Sequence, residues 1–233
     1  MPTTWTTKLT RPLRPRRDSN YATWLGNQRL YSLSRVLRDL GLKPDFGDTP
    51  FHVIHNAACR GKLTEEFCYR LLQGKSVTVR ARHTGSLQKD VSVRVEAFYR
   101  WAQEEKPTFV DCQSFVWSEE DRIAWQRDLR VIVRDRLTLV DIKCTSKPEK
   151  DWPLQIGCGL AYDEDGANHG GILHLNPKLN KKGYKFREYN GEQVKSWWRR
   201  IVKRWHSDYD FKRLKGELGF DTEATGFETE DAE

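Results

Sequence analysis

The run Leu137-Thr138-Leu139-Val140-Asp141-Ile142-Lys143 decides how the rest of the chain is read. Its first four residues favour an extended strand, and alternation along that strand sends Asp141 and Lys143 to one face and Ile142 to the other. A carboxylate and an ammonium therefore leave the end of the strand in the same direction. Upstream, 109–117 and 123–133 are rich in Val, Ile, Phe and Trp and are separated by polar turns at 118–122 and 134–136, which predicts an antiparallel meander. The turn at 134–136 folds Asp128 back beside Asp141. Two carboxylates meeting at a strand edge suit a hard divalent cation, and a nearby ammonium can polarise or deprotonate an attacking water.

Outward from this centre the pattern is helical on both sides. Residues 31–40 place Leu33, Val36, Leu37 and Leu40 on one face before Gly41, and a second helix runs from His52 through His55, Cys59, Leu63 and Phe67 to the stop at Gly74, with Gly61 a point where it could break. A third spans 89–103, with Val91, Val95, Phe98 and Ala102 at helical spacing. Beyond the meander, 152–162 reads as a helix weakened by Gly157 and Gly159, and 171–176 and 184–188 are short strands around a basic loop holding Lys178, Lys181 and Lys182. Residues 192–205 form the clearest amphipathic helix: Val194, Trp198, Ile201 and Trp205 share one side, and Lys195, Arg199, Lys203 and Arg204 lie away from it.

The 233 residues carry 40 Lys+Arg against 33 Asp+Glu, a net charge of +7 that suits a polyanionic partner such as nucleic acid. Five cysteines, odd in number and without CxxC pairing, indicate neither a disulfide framework nor a structural zinc site, so a reducing, cytoplasmic setting is expected. Nothing approaches the roughly 20 apolar residues needed to cross a bilayer. Residues 1–29 are expected to be a basic, aromatic arm without regular structure. Arg16 and Arg17 could meet phosphates there and Trp24 could stack on bases, or the aromatics could simply pack on the core. A domain at 30–190 follows, then the basic helix at 191–215 and an acidic segment, 216–233, expected to be solvated and disordered.

Asp128, then Asp141-Ile142-Lys143-Cys144-Thr145-Ser146 and Trp152-Pro153-Leu154-Gln155, resembles the signature of RecB-like nucleases in the PD-(D/E)XK superfamily, of phage and bacterial type. Tyr31-Ser32-Leu33-Ser34-Arg35-Val36-Leu37 is similar to an early helix of those nucleases, Thr49-Pro50-Phe51-His52 with Arg60-Gly61 to a following segment, and Val95-Glu96-Ala97-Phe98 to a further helix. The chain departs from them at Asp48, where a glycine is usual, and at Gln113, where a glutamate is frequent, with Glu119 and Glu120 as substitutes.

The resemblance implies an α/β (α+β) fold, a restriction-endonuclease-like core in which helices flank a small mixed sheet. It implies a phosphodiester hydrolase acting on DNA, an exonuclease in recombination, repair or end processing in a bacterial or phage-infected cell. One or two Mg²⁺ or Mn²⁺ ions would be held by His52, Asp128, Asp141 and the Ile142 carbonyl, with His55 the rival to His52, and no iron–sulfur cluster is expected. Lys143 would orient the attacking water, Gln155 would support the site or touch a phosphate, and Tyr162 would do likewise. Lys178, Lys182, Arg199 and Lys203 join Arg16, Arg17 and Trp24 as expected DNA contacts. An inactive DNA-binding module and a sequence-specific endonuclease are the alternatives.

Overall fold

A computed structural model describes residues 14–18, 22–43, 47, 49–77 and 85–218. Strands β1 (Arg16–Arg17), β2 (Thr23–Leu25) and β3 (Gln28–Ser32) lead into helix α1 (Leu33–Asp39), followed by α2 (Phe51–Leu72) and α3 (Gly85–Glu105). Strands β4 (Thr108–Cys112), β5 (Phe115–Ser118), β6 (Ile123–Gln126), β7 (Leu129–Val133) and β8 (Arg136–Lys143) come next. Helix α4 (Trp152–Ala161), strands β9 (His169–Leu175) and β10 (Tyr184–Asn190) and helix α5 (Gly191–Leu218) complete the order. The fold is α+β, with two mixed sheets ordered β1-β2-β3-β6-β5 and β10-β9-β8-β7-β4 where the sequence led us to expect one.

The second sheet arises because the expected meander bends. Cys112 pairs with Leu129 and Phe115 with Gln126, so no residue is gained or lost across the break, and β4–β5 with β6–β7 is one long ribbon. Its cross-strand bonds continue through the bend, from Gln113 N to Asp128 O (3.1 Å) and from Arg127 N to Ser114 O (3.0 Å). Gln113 turns the chain in the left-handed region (φ +56°), and its side-chain amide donates to the Tyr69 hydroxyl at 2.8 Å. On one side of the bend β7 joins β8. On the other, β6 lies parallel to β3. The β7–β8 connection is the two-residue turn Arg134–Asp135, both at positive φ, the geometry that matches strand twist in a hairpin.

Strand β8 is buried on both faces, which explains its nearly unbroken apolar run. Val140, Ile142 and Cys144 join Leu129, Val131 and Val133 of β7 against Phe98 and Trp101 of α3 and Cys68 and Tyr69 of α2. Leu139 points the other way, to Trp152, Ile156 and Leu160 of α4. Helix α4 connects β8 to its parallel neighbour β9. The two glycines that weakened α4 as a sequence reading permit close approach instead. A Cβ on Gly157 would lie 2.3 Å from the Val194 carbonyl oxygen of α5, and one on Gly159 2.3 Å from the Trp125 ring.

Helix α5 buries Val194, Trp198 and Trp205 and exposes Arg199, Lys203 and Arg204, as its spacing predicted, but it is Val202 that is buried there while Ile201 is half-buried. Each fully buried large side chain of this kind stabilises the fold by about 1.5–3 kcal/mol. The helix extends to Leu218, so the first residues of the acidic segment are helical, and 219–233 lie outside the described residues. The expected arm is partly sheet: exposed Arg16 and Arg17 form β1, Trp24 lies in β2, and Trp5 and Tyr21 fall outside the described residues. Ser32 caps α1, its hydroxyl accepting from Arg35 N at 3.3 Å, so that helix starts two residues later than expected. Helix α2 passes through Gly61 unbroken. Among the described residues no helix is long and apolar enough to cross a membrane.

Candidate active site

The β7–β8 ladder ends with Leu129 opposite Val140, and the next residues on the two strands are Asp128 and Asp141. Released from the ladder, Asp128 turns its carboxylate to β8, where Oδ2 accepts from the Ile142 N–H at 2.9 Å. In an antiparallel strand the N–H and C=O of one residue share an edge, so the Ile142 carbonyl lies on the same side as Asp128. Asp141 is 2 % exposed, and Lys143 Nζ lies 2.5 Å from its Oδ2. Apart from that ion pair, Asp141 Oδ2 has no hydrogen-bond partner among the described residues. Lys143 Nζ donates to Gln155 Oε1 at 2.8 Å, and Gln155 Nε2 donates to Asp151 Oδ2 at 2.9 Å. Asp128, Asp141, Lys143 and Gln155 are thus brought together.

The charges at this point do not balance. Burial, then the charges of Asp141 and Glu65, push the Asp128 carboxyl well above its ordinary range. Burial and Asp141 raise Glu65 of α2 to about 7. For Lys143 burial acts downwards, but Asp141 and Asp128 outweigh it and hold the ammonium above its usual value. Burial and the neighbouring Asp151 also raise Glu149, in the loop between β8 and α4. Asp128, Asp141 and Glu65 therefore share the field of the Lys143 ammonium, which touches only Asp141, while Lys62 adds a weaker charge at Glu65.

The donors fit a hard divalent cation in kind, being carboxylate oxygens, one of them buried with the Lys143 ammonium against it. Among the described residues, however, no three His, Cys, Asp or Glu side chains meet closely enough to enclose an ion, so the expected set of His52, Asp128 and Asp141 is not such a group. Geometry explains why. His52 is exposed in the first turn of α2, and Glu65, the α2 residue that the cluster feels, is thirteen residues further on, about 20 Å along the axis. His55 lies on the same outer stretch, its ring stacked on Phe51 (5.6 Å) and its Nε2 3.4 Å from Cys59 Sγ.

The remaining expected contacts are scattered. Tyr162 caps the far end of α4, seven residues or about 10 Å beyond Gln155, and donates its hydroxyl to Asp121 at 2.7 Å. With Arg199, Lys203, Asp121 and His206 it lines a separate cavity of about 440 Å³. Lys182 is held by Glu104 at 2.6 Å, and Lys178 is exposed. Arg17 lies over the Phe115 ring at 5.5 Å, and Trp24 Nε1 donates to Asp18 at 2.8 Å.

Sequence reasoning missed Glu65 and Asp151. A signal existed for the first: Glu65 falls one helical turn before Cys68 and Tyr69, on the stripe that α2 buries, where an acid has no ordinary place. Asp151 precedes a helix and reads as a plain N-cap. No protein-family model matches the chain, and no curated protein matches it.

Proposed function

We propose that the chain is a metal-dependent nuclease of the PD-(D/E)XK type, with a restriction-endonuclease-like core, that hydrolyses phosphodiester bonds in DNA and acts from ends. The observation that carries this reading is the meeting of Asp128, Asp141 and Lys143 where the β7–β8 ladder ends, with Gln155 on the lysine. Asp128 and Asp141, with the Ile142 carbonyl, would supply oxygen ligands to one or two Mg²⁺ or Mn²⁺ ions. Bound there, the metal would lower the pKa of an attacking water and offset charge on the phosphoryl group.

The side chains supply the rest. Lys143, anchored by Gln155, has donors left over for a water or a phosphoryl oxygen. Asp141 Oδ2 is paired with that ammonium and has no other partner among the described residues. Glu65, at about 7, can take up or release a proton near neutrality. Arg199 and Lys203 present exposed cations for the backbone of the polyanion.

The test is incubation with Mg²⁺ or Mn²⁺ on end-labelled linear, nicked and closed circular DNA. Linear DNA is expected to be degraded, chelator to stop it, and Ca²⁺ to support binding without cutting. Equal cleavage by the parent and a folded Asp141→Ala variant would sink the assignment.

A further inference from the structure

Gln155 stands between a group that can only donate, the Lys143 ammonium, and one that can only accept, the Asp151 carboxylate. Its amide satisfies both one way round, with Oε1 to Lys143 (2.8 Å) and Nε2 to Asp151 Oδ2 (2.9 Å). Rotated by half a turn, it would set an NH₂ against an ammonium and a carbonyl against a carboxylate. Asp151 occupies the N-cap position of α4, where an aspartate ordinarily accepts from a first-turn backbone N–H. Here it makes no such bond. It is 2 % exposed, reaches inward to Gln155 instead, and leaves Oδ1 buried without a hydrogen-bond partner. Capping would satisfy this carboxylate better, so its placement is explained by what it holds.

We propose that Asp151 is a positioning residue. By fixing which way round the Gln155 amide lies, it holds the Lys143 ammonium at Asp141 and so sets where the reaction's donor points. The catalytic part of this inference rests on the nuclease reading; the placement of the ammonium does not.

Reversing the polarity of the chain of bonds tests it. Q155E leaves Lys143 an acceptor but opposes carboxylate to carboxylate at Asp151. In D151N/Q155E the asparagine amide donates to the new carboxylate, whose other oxygen still accepts from Lys143. We expect Q155E to lose about tenfold or more in kcat, the scale of one charge-assisted bond, with KM for DNA unchanged. D151N alone should lose less, since its carbonyl still accepts from Gln155, and the double variant should recover most of the Q155E loss. In parallel, the ¹⁵N–¹H resonance of the Lys143 ammonium, assigned by its disappearance in K143M, should be sharp in the parent, broadened in Q155E and restored in D151N/Q155E. A purely structural Asp151 would shift melting temperatures and give independent, multiplying losses without restoring the resonance. Full activity in Q155E, or a double variant no better than Q155E with the resonance still broadened, overturns the proposal. Should the parent cut no DNA, the nuclease reading fails, and the ammonium resonance alone decides the positioning role.

Discussion

Arg127 and Asp128 are neighbours at the ribbon bend, yet they stand in two partly buried charge clusters of opposite design. Arg127, 5 % exposed, pairs with Asp163 and reaches Asp111 and Asp165, each at 3.5 Å. Arg130 pairs with Asp111 at 2.6 Å and with Asp165. The second Asp163 oxygen accepts from Ala167 N at 2.7 Å, which fastens the loop after α4 to the ribbon. Every carboxylate there touches a guanidinium. At Asp128, Asp141 and Glu65 the shared ammonium, Lys143, touches Asp141 alone among the three carboxylates, and Lys62 adds only a weaker charge at Glu65. The first arrangement is complete in itself and holds structure together. The second keeps an appetite for positive charge, which is why we read function there.

The contrast fails at its strongest point if Asp141 behaves like a structural acid. Asp141→Ala is expected to reduce Mg²⁺-dependent cleavage of end-labelled DNA by more than about 10³-fold and Lys143→Ala by about 10²–10³-fold. Both variants should stay folded by circular dichroism, and the lysine variant should still bind metal by calorimetry. The opposite profile is expected of Arg127→Leu. It leaves the buried Asp163 with Arg130, at 3.7 Å, in place of its closer partner and should lower stability in urea by up to about 3–5 kcal/mol, the usual cost of removing one partner of a buried pair.

The pH dependence of the metal-free protein should carry both signs. Glu65 holds its proton more tightly when folded, so its contribution is complete below pH 4.5, its ordinary value, and disappears as pH rises through about 7. Asp165 is lowered by its hydrogen bond to Arg130, so its contribution is present above 3.8 and is lost as pH falls through its depressed value. Melting temperatures should therefore fall between pH 4.5 and 7, and the fall should flatten in Glu65→Gln. A curve unchanged by that substitution would place Glu65 outside the cluster. The smallest effect belongs to the exposed face of α5, where removing Arg199 or Lys203 should flatten the slope of log affinity for DNA against log salt by about 0.7–0.9 per residue.

What the sequence disclosed follows from periodicity. Alternation in 137–143 put Asp141 and Lys143 on one face, the hairpin turn brought Asp128 beside them, and the stripe of Val194, Trp198 and Trp205 located the buried side of α5. What stayed hidden depended on distance and direction. The ribbon bends at Gln113 with no glycine or proline to announce it. Helix α2 is 22 residues, about 33 Å, long, and residues 51–63 are all exposed or half-buried, so the histidines at its start could not be told from the glutamate that reaches the site. Asp151 drew no notice because the inward turn of a side chain leaves no trace in a pattern of residue types.

The bent ribbon also shapes an edge of each sheet. Strands β4 and β5 are the terminal strands of their respective sheets, so residues 108–118 form a border to both. A long straight border of this kind, carrying Phe109, Val110, Phe115 and Trp117, would invite strand-to-strand aggregation. The register shift between Phe109 and Asp111 and the left-handed Gln113 divide it into pieces of five and four residues that run in different directions. The kink that frees Asp128 from its ladder thus also divides the edge into short pieces, a form that disfavours pairing with another strand.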